Sequence, residues 1–233
     1  MLKILRFVLI IVLVVWLFRQ VRKPSGWLGR RMVRALNLGH AKMTDWALQQ
    51  VNVPKNAAIL DVGCGGGWTV RKLAALASEG KVIGLDYSDA SVAVSRDTNA
   101  KEIETGRVQI ERGSVQALPF PDGTFDIVTA VETHYYWPDL PANMREILRV
   151  LKPGGTFALI AETYRGGPLR FLYGIVMPLL RAAYLTDAEH RELLTQAGFT
   201  DVATMHLSGR NWICATGRRP LGQVSVRDHP RTA

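Results

Sequence analysis

Residues 57–69, AAILDVGCGGGWT, set a carboxylate beside a run of glycines where a strand pattern gives way to a helical one. The apolar stretch 57–60 reads as a buried parallel strand. Behind it Val70, Leu73, Ala74 and Ala77 recur at helical spacing. A glycine-rich turn between strand and helix lets a ligand approach the backbone, because no Cβ stands in the way. A dinucleotide fingerprint, G-x-G-x-x-G, would require glycine at position 68, and that residue is Trp68. The acid at the strand end, Asp61, points away from a pyrophosphate as well. A phosphate needs free N–H groups and no adjacent anion, whereas a cationic group can use the carboxylate. The alternative is a loop that only turns the chain.

A second acid follows in a similar setting. Lys81-Val82-Ile83-Gly84-Leu85-Asp86 reads as an apolar strand ending in a carboxylate. In nucleoside-binding α/β sheets an acid at the tip of the second strand accepts both ribose hydroxyls. Asp86 is the candidate for that role, with Tyr87 placed to lie against a base and Ser88 capping the next helix. A third cluster, Glu132-Thr133-His134-Tyr135-Tyr136-Trp137-Pro138, follows the apolar run 125–131. His134 is the first candidate for a general base, since an imidazole titrates near neutrality. Glu132 and Tyr135 come next, and the alternative is that these side chains only shape a pocket.

The D-x-G-x-G-x-G pattern of residues 61–67 resembles motif I of the class I S-adenosylmethionine-dependent methyltransferases. Further blocks resemble that family in its order. Gly113-Ser114-Val115-Gln116-Ala117-Leu118-Pro119-Phe120 looks like the segment whose early residues contact adenine, residues 125–131 like its fourth strand, and Leu151-Lys152-Pro153-Gly154-Gly155 like the turn before its fifth. One departure is Ser114, which stands where members often carry Asp and is a weaker acceptor. The resemblance covers roughly residues 44–218 and implies an α/β fold: a Rossmann-like seven-stranded sheet with helices on both faces and an antiparallel last strand. It further implies S-adenosyl-L-methionine as cofactor. The positions it assigns are Asp61, Gly63, Cys64, Gly65 and Gly67 in the first loop, Asp86 and Tyr87 after the second strand, and Ser114, Val115 and Val131. Methyl transfer is a direct displacement, so alignment and water exclusion matter most. A base is needed only for a protonated nucleophile.

Charge narrows the partner class. The 233 residues carry a formal net charge of +9, yet residues 1–34 hold eight Lys/Arg and no acid, and residues 218–233 hold four Arg against one Asp. The remaining 17 basic and 19 acidic side chains leave the domain itself near neutral. Nucleic-acid binding requires a basic face on the folded domain, so a nucleic-acid substrate is not expected. Two cysteines, with no C-x-x-C and no histidine cluster, give neither a disulfide framework nor a zinc site. No metal is expected, and the thiols suit a reducing compartment.

Residues 7–18 form an uninterrupted apolar run of twelve, flanked by Lys3 and Arg6 before it and by Arg19, Arg22 and Lys23 after it. A secretory signal would end in a small-residue cleavage site, which is missing here. A buried core helix would be polar on one side. A membrane anchor fits best. Fifteen residues reach only about 22 Å, short of a bilayer core of roughly 30 Å, and snorkelling ends with local thinning narrow the gap. The basic flank keeps the following domain on the cytoplasmic side. The expected organisation is an anchor over 1–23, a basic juxtamembrane segment with cap helices over 24–56, the methyltransferase domain over 57–219, and a disordered tail over 220–233. Within the second segment His40 and Trp46 are possible site residues, although a lone histidine is more often a surface or cap residue.

The apolar insertion 164–185 has two readings: a buried helix pair that extends the core, or a lid over the acceptor site. Together with the anchor it favours a membrane-associated methyltransferase acting on a small hydrophobic or lipid-like acceptor. The rivals are a methyltransferase of a soluble small molecule, anchored only for localisation, and a non-catalytic cofactor-binding protein.

Overall fold

The computed structural model describes Arg6, Gln20 and residues 22–222. The expected anchor run 7–18 and most of the expected tail lie outside the described residues. Among the described residues no helix is long and apolar enough to cross a membrane.

Seven strands form one sheet: β1 (Ala58–Val62), β2 (Lys81–Asp86), β3 (Val108–Arg112), β4 (Phe125–Val131), β5 (Leu151–Ala161), β6 (Thr200–His206) and β7 (Ile213–Arg218). Their order is β3-β2-β1-β4-β5-β7-β6. Strands β1 to β5 pair in parallel, and β7 runs antiparallel to both β5 and β6. The expected sheet and its antiparallel last strand are thus present. Because β1 sits between β2 and β4, the winding reverses there and opens a crevice at the strands' carboxyl ends.

The central strands are buried on both faces, which explains their nearly continuous apolar sequences. Leu60 and Val62 face one core with Val128, Ala130, Phe157 and Leu159; Ile59 faces the other with Ile127 and Ala158. The first core is closed by α5 (Leu140–Val150) and α7 (Asp187–Ala197), which supply Met144, Ile147 and Leu194. The second is closed by α2 (Trp68–Leu76) and α3 (Asp89–Thr98) through Val70, Leu73, Ala74 and Val92.

The helix that Ser88 caps, α3, ends at Thr98, and the chain resumes as α4 (Ala100–Glu104). At the junction Asn99 Nδ2 donates to Gly67 O at 3.0 Å and to Ser95 O at 2.9 Å, so a side chain replaces helical continuity in order to brace the glycine loop. Leu151 to Gly155 are not a turn before β5 but its first residues, entering through a shift of register between Phe125 and Ile127. The insertion holds one helix, α6 (Arg170–Leu179), not a buried pair; Met177 is its one buried residue. Upstream, α1 (Gly26–Leu48) is a single helix over the crevice. The fold reaches past the expected boundary at residue 23. Gln20 is buried and accepts the Ser25 N–H at 2.8 Å, and Pro24 O accepts the Ser88 hydroxyl at 2.7 Å.

A capping box opens α7: Thr186 Oγ1 accepts the Glu189 N–H at 3.1 Å while Glu189 Oε2 accepts the Thr186 N–H at 2.6 Å. Thr186→Ala is expected to lower stability by about 1 kcal/mol in urea unfolding. Cofactor affinity should stay unchanged, because α7 packs on the sheet away from the crevice.

Candidate active site

At the carboxyl ends of β1, β2 and β4 lies a cavity of ≈ 260 Å³, roofed by Val33, Leu36, Asn37 and His40 of α1. Its floor is the loop after β1. Gly63 and Cys64 donate their N–H groups to Leu85 O at 2.7 and 3.0 Å, fastening the loop to β2. Gly65 donates to Asp86 Oδ2 at 2.9 Å, and Ser88 donates to Asp86 Oδ1 at 2.8 Å. Gly63, Gly65 and Gly67 all have positive φ, at 73°, 52° and 80°, a region that penalises side chains. What surrounds them differs. A Cβ on Gly63 would stand 2.1 Å from Thr133 Oγ1, and one on Gly67 would stand 2.4 Å from both Ser95 and Asn99; a Cβ on Gly65 would meet no protein atom within 4 Å. Gly63 and Gly67 are needed for packing, and Gly65 keeps the cavity floor open.

Asp61 is 1 % exposed and accepts the Thr129 hydroxyl at 2.6 Å. Burial, opposed by that bond and reinforced by the Asp86 carboxylate, pushes its pKa up to about 7. Burial also raises Asp86, against the N–H groups it accepts. Among the described residues neither acid has a salt-bridge partner. Two buried acids facing one cavity, neither of them paired with a cation, suit a ligand that carries both an ammonium group and vicinal hydroxyls, which is the chemistry of S-adenosylmethionine. Tyr87 lines the cavity with its hydroxyl donated to Arg22 O, and desolvation pushes its pKa up to about 12.

The cavity gathers most of the expected site residues. Asp61, Gly63, Cys64 and Gly65 line it from the end of β1 and the loop after it, Asp86 and Tyr87 from the end of β2, Ser114 and Val115 from the loop after β3, and Val131 and Glu132 from the end of β4. Cys64 is a buried packing residue whose thiol reaches Ser95 Oγ at 3.7 Å, and burial raises its pKa well above the usual thiol value. Ser114 Oγ accepts the Gln116 N–H at 3.3 Å. Gly67 does not line the cavity; it caps α2.

His134 requires a correction. It is wholly buried and does not line the cavity, and neither ring nitrogen has a hydrogen-bond partner. It packs against Tyr135 and His190, with ring centroids 4.3 and 5.5 Å away. Burial, with His190 beside it, holds its pKa well below the ordinary imidazole value. A side chain with no path to the cavity cannot take a proton from a ligand there. Tyr135 is also outside the lining, but it touches the site indirectly, donating to Glu132 Oε1 at 3.0 Å and accepting the Thr163 N–H at 3.1 Å.

Of the three catalytic candidates, Glu132 is the one that lines the cavity. Its φ of 56° turns the chain sharply after β4, a conformation that costs a non-glycine residue on the order of 1 kcal/mol. Oε1 accepts from Tyr135 and from the Glu162 N–H. Oε2 faces His40 Nε2 at 4.0 Å, and Glu162 Oε2 lies 3.5 Å from the same nitrogen. Together these three side chains hold ligand atoms within 4.8 Å of one another. Burial, reinforced by Glu162, pushes the Glu132 pKa up to about 7. Burial lowers His40, partly offset by Glu162. Sequence patterns did not single out Asn37, whose Nδ2 donates to Gly66 O at 2.9 Å and fixes α1 over the loop. A lone Asn on an amphipathic helix carries no spacing signal.

Residues 60–159 match the sequence profile of a methyltransferase domain. A demethylmenaquinone methyltransferase of Lactiplantibacillus plantarum is 30% identical over 187 residues, which is 75% of this chain and 79% of that one. The chain belongs to the class I S-adenosylmethionine-dependent methyltransferases. Among solved structures, a Haloferax volcanii putative methyltransferase, in complex with the Trm112 activator, superposes with a TM-score of 0.70 at 21% identity, over 83% of this chain and 96% of that one. Human N-acetylserotonin methyltransferase in complex with its cofactor gives 0.69 at 20% identity, over 82% and 56%. The methyltransferase takes S-adenosylmethionine as its cofactor, which fits the acids and the open floor at Gly65.

Two outcomes follow from this geometry. Gly65→Ala should fold with a loss of about 1–2 kcal/mol while cofactor affinity drops tenfold or more, by roughly the 1.4 kcal/mol that defines a factor of ten. Gly67→Ala should instead lower the melting temperature sharply, since Ser95 and Asn99 must move. In the free methyltransferase Asp61 keeps its proton up to about pH 7, and an ammonium group favours the ionised form. Cofactor binding should therefore release a proton and tighten as pH rises from about 6 to about 8. Calorimetry in buffers of different ionisation heat checks this, and Asp61→Asn should abolish the pH dependence.

Proposed function

We propose that this methyltransferase is membrane-associated and modifies a lipid-like small molecule with an acidic hydroxyl on its ring, of the quinol class. The observation that carries this reading is the meeting of an apolar wall with a third carboxylate, Glu132, beyond the two given to the cofactor. Val33, Leu36, Val115 and Trp137 line the same cavity as Glu132, and mostly apolar pockets with a few polar groups suit such ligands. The similarity to the Lactiplantibacillus plantarum demethylmenaquinone methyltransferase supports the acceptor class. The apolar run at 7–18 and the basic residues between 19 and 34 support attachment to the cytoplasmic face of an anionic membrane.

Asp61 would hold the cofactor's ammonium group and Asp86 its ribose hydroxyls. When bound, S-adenosylmethionine supplies an electrophilic methyl group on sulfonium sulfur. The protein's own contribution is to bring the acceptor beside Glu132 and to keep water out. Tyr135 and the Glu162 N–H occupy Oε1 and hold the side chain, leaving Oε2 toward the cavity. Ionised Glu132 takes the acceptor's hydroxyl proton, and the ring gains the electron density it needs as a nucleophile; the ring carbon that accepts the methyl group then gives up its own proton, which restores the hydroxyl. His40 and Glu162 flank the proton's exit.

With demethylmenaquinol as probe, kept reduced by dithionite, Glu132→Gln should cut turnover by about 10²-fold or more and leave cofactor affinity intact. The wild-type rate should rise through about pH 7, where Glu132 ionises, and level off above it. His134→Phe should keep its activity. It should also gain stability relative to wild type below about pH 6.5, since a buried neutral imidazole loses stability as pH falls toward its unfolded pKa. Full turnover by Glu132→Gln would remove this base, and no transfer to any quinol would remove the acceptor class.

A further inference from the structure

Between Glu162 and Asp187 the chain carries Arg165, Arg170 and Arg181 and no acid. At its centre α6 presents two unlike faces. Met177 is buried and Tyr173 packs beside it on the core. On the opposite side Phe171, Leu172, Ile175 and Leu179 are 76, 56, 67 and 66 % exposed. At 3.6 residues per turn these four fall on one stripe. A stripe of four large apolar side chains is not scattered surface hydrophobicity. Arginines stand at both of its ends: Arg170 lies over the Phe171 ring at 4.7 Å, and exposed Arg181 follows the last turn.

The helix is also fastened to the corner of the cavity that holds Glu132. Ala183 donates its N–H to Tyr135 O at 2.8 Å. Leu169 donates to Asn211 Oδ1 at 3.3 Å, and Asn211 Nδ2 donates to Thr163 Oγ1 at 2.9 Å and Glu162 O at 3.3 Å. Residues on either side of α6 thus bind the same segments that position Glu132.

We propose that α6 is an interfacial helix that beds its Phe171–Leu179 stripe in an anionic lipid surface, with Arg170 and Arg181 at the headgroups, beside the acceptor end of the cavity. The charge pattern selects this occupant. An apolar stripe bounded by arginines and free of acids complements acyl chains under anionic headgroups. The proposal rests on the membrane-associated reading above and adds to it a second contact, placed where a lipid-like acceptor would leave the bilayer.

The full chain can be tested with one environment-sensitive fluorophore on Ile175→Cys, or on Phe171→Cys should the first variant fold poorly. Native Cys64 and Cys214 are buried and so are shielded from the label. With vesicles of phosphatidylcholine and phosphatidylglycerol, emission at position 175 should shift to the blue and rise several-fold. The gain should be smaller with phosphatidylcholine alone, and a label on Glu192→Cys of α7 should not respond. Flotation in the same samples separates the two readings. Protein that floats while the label at 175 stays silent overturns the docking of α6 and leaves membrane association standing. Protein that does not float overturns both. A label already blue-shifted without vesicles, and reversed by dilution, would assign the stripe to a second copy of the chain and overturn the lipid.

Discussion

Two buried carboxylates face one cavity and, among the described residues, neither is paired with a cation; the site is arranged around that constraint. Asp61 and Asp86 lie at the tips of adjacent parallel strands, paired in register from Ala58–Lys81 to Val62–Leu85. Their separation is set by the sheet and cannot relax. Each is held by donors: Thr129 on one, Gly65 and Ser88 on the other. These bonds moderate the cost of burial without cancelling it, so both pKa values stay raised. A ligand bearing a positive charge and hydroxyl donors relieves what the protein leaves uncompensated. The glycine loop serves the same constraint, since its left-handed turns aim Gly65 N–H at Asp86 and keep side chains off the floor.

The acceptor end follows a different logic. Glu132 is pinned through one oxygen and turned toward His40 at the other, in a backbone conformation that a side-chain-bearing residue adopts at a cost. Strain of this kind persists where the surroundings over-determine it, here through Tyr135 and the start of the segment after β5. The arrangement links β4, β5 and the 3₁₀ turn His134–Tyr136 into one unit. His134 opens that turn and faces inward, while Glu132, two residues before it, faces the cavity. Two residues of separation decide which one meets a ligand.

That difference marks the limit of what spacing can tell. The sheet was legible because its strands are buried on both faces and read as unbroken apolar runs; the ranges of β2 and β4 agree with those patterns. Asp61 and Asp86 were legible because they stand beside or at the ends of β1 and β2, and the carboxyl ends of strands in this winding open on the crevice. Nothing comparable governs 132–138. A positive φ at Glu132 turns the chain after β4, and no local propensity announces it. Near-neutral intrinsic acidity pointed to His134, while burial suppresses that chemistry there and raises it in Glu132.

By itself the chain determined the order of strands and helices, the class of cofactor, and the concentration of basic charge at both ends, because these depend on local pattern and covalent order. Tertiary structure alone decided the rest. Contacts between segments far apart in sequence bring His40 within reach of Glu132 and Glu162, place Asn37 on Gly66, and use Asn99 to end a helix for the sake of the glycine loop. They also leave one face of α6 bare, since only packing determines which side of an apolar helix the core accepts. Burial and neighbouring charge, which set whether a carboxyl or an imidazole can handle a proton at neutral pH, exist only once the chain has folded.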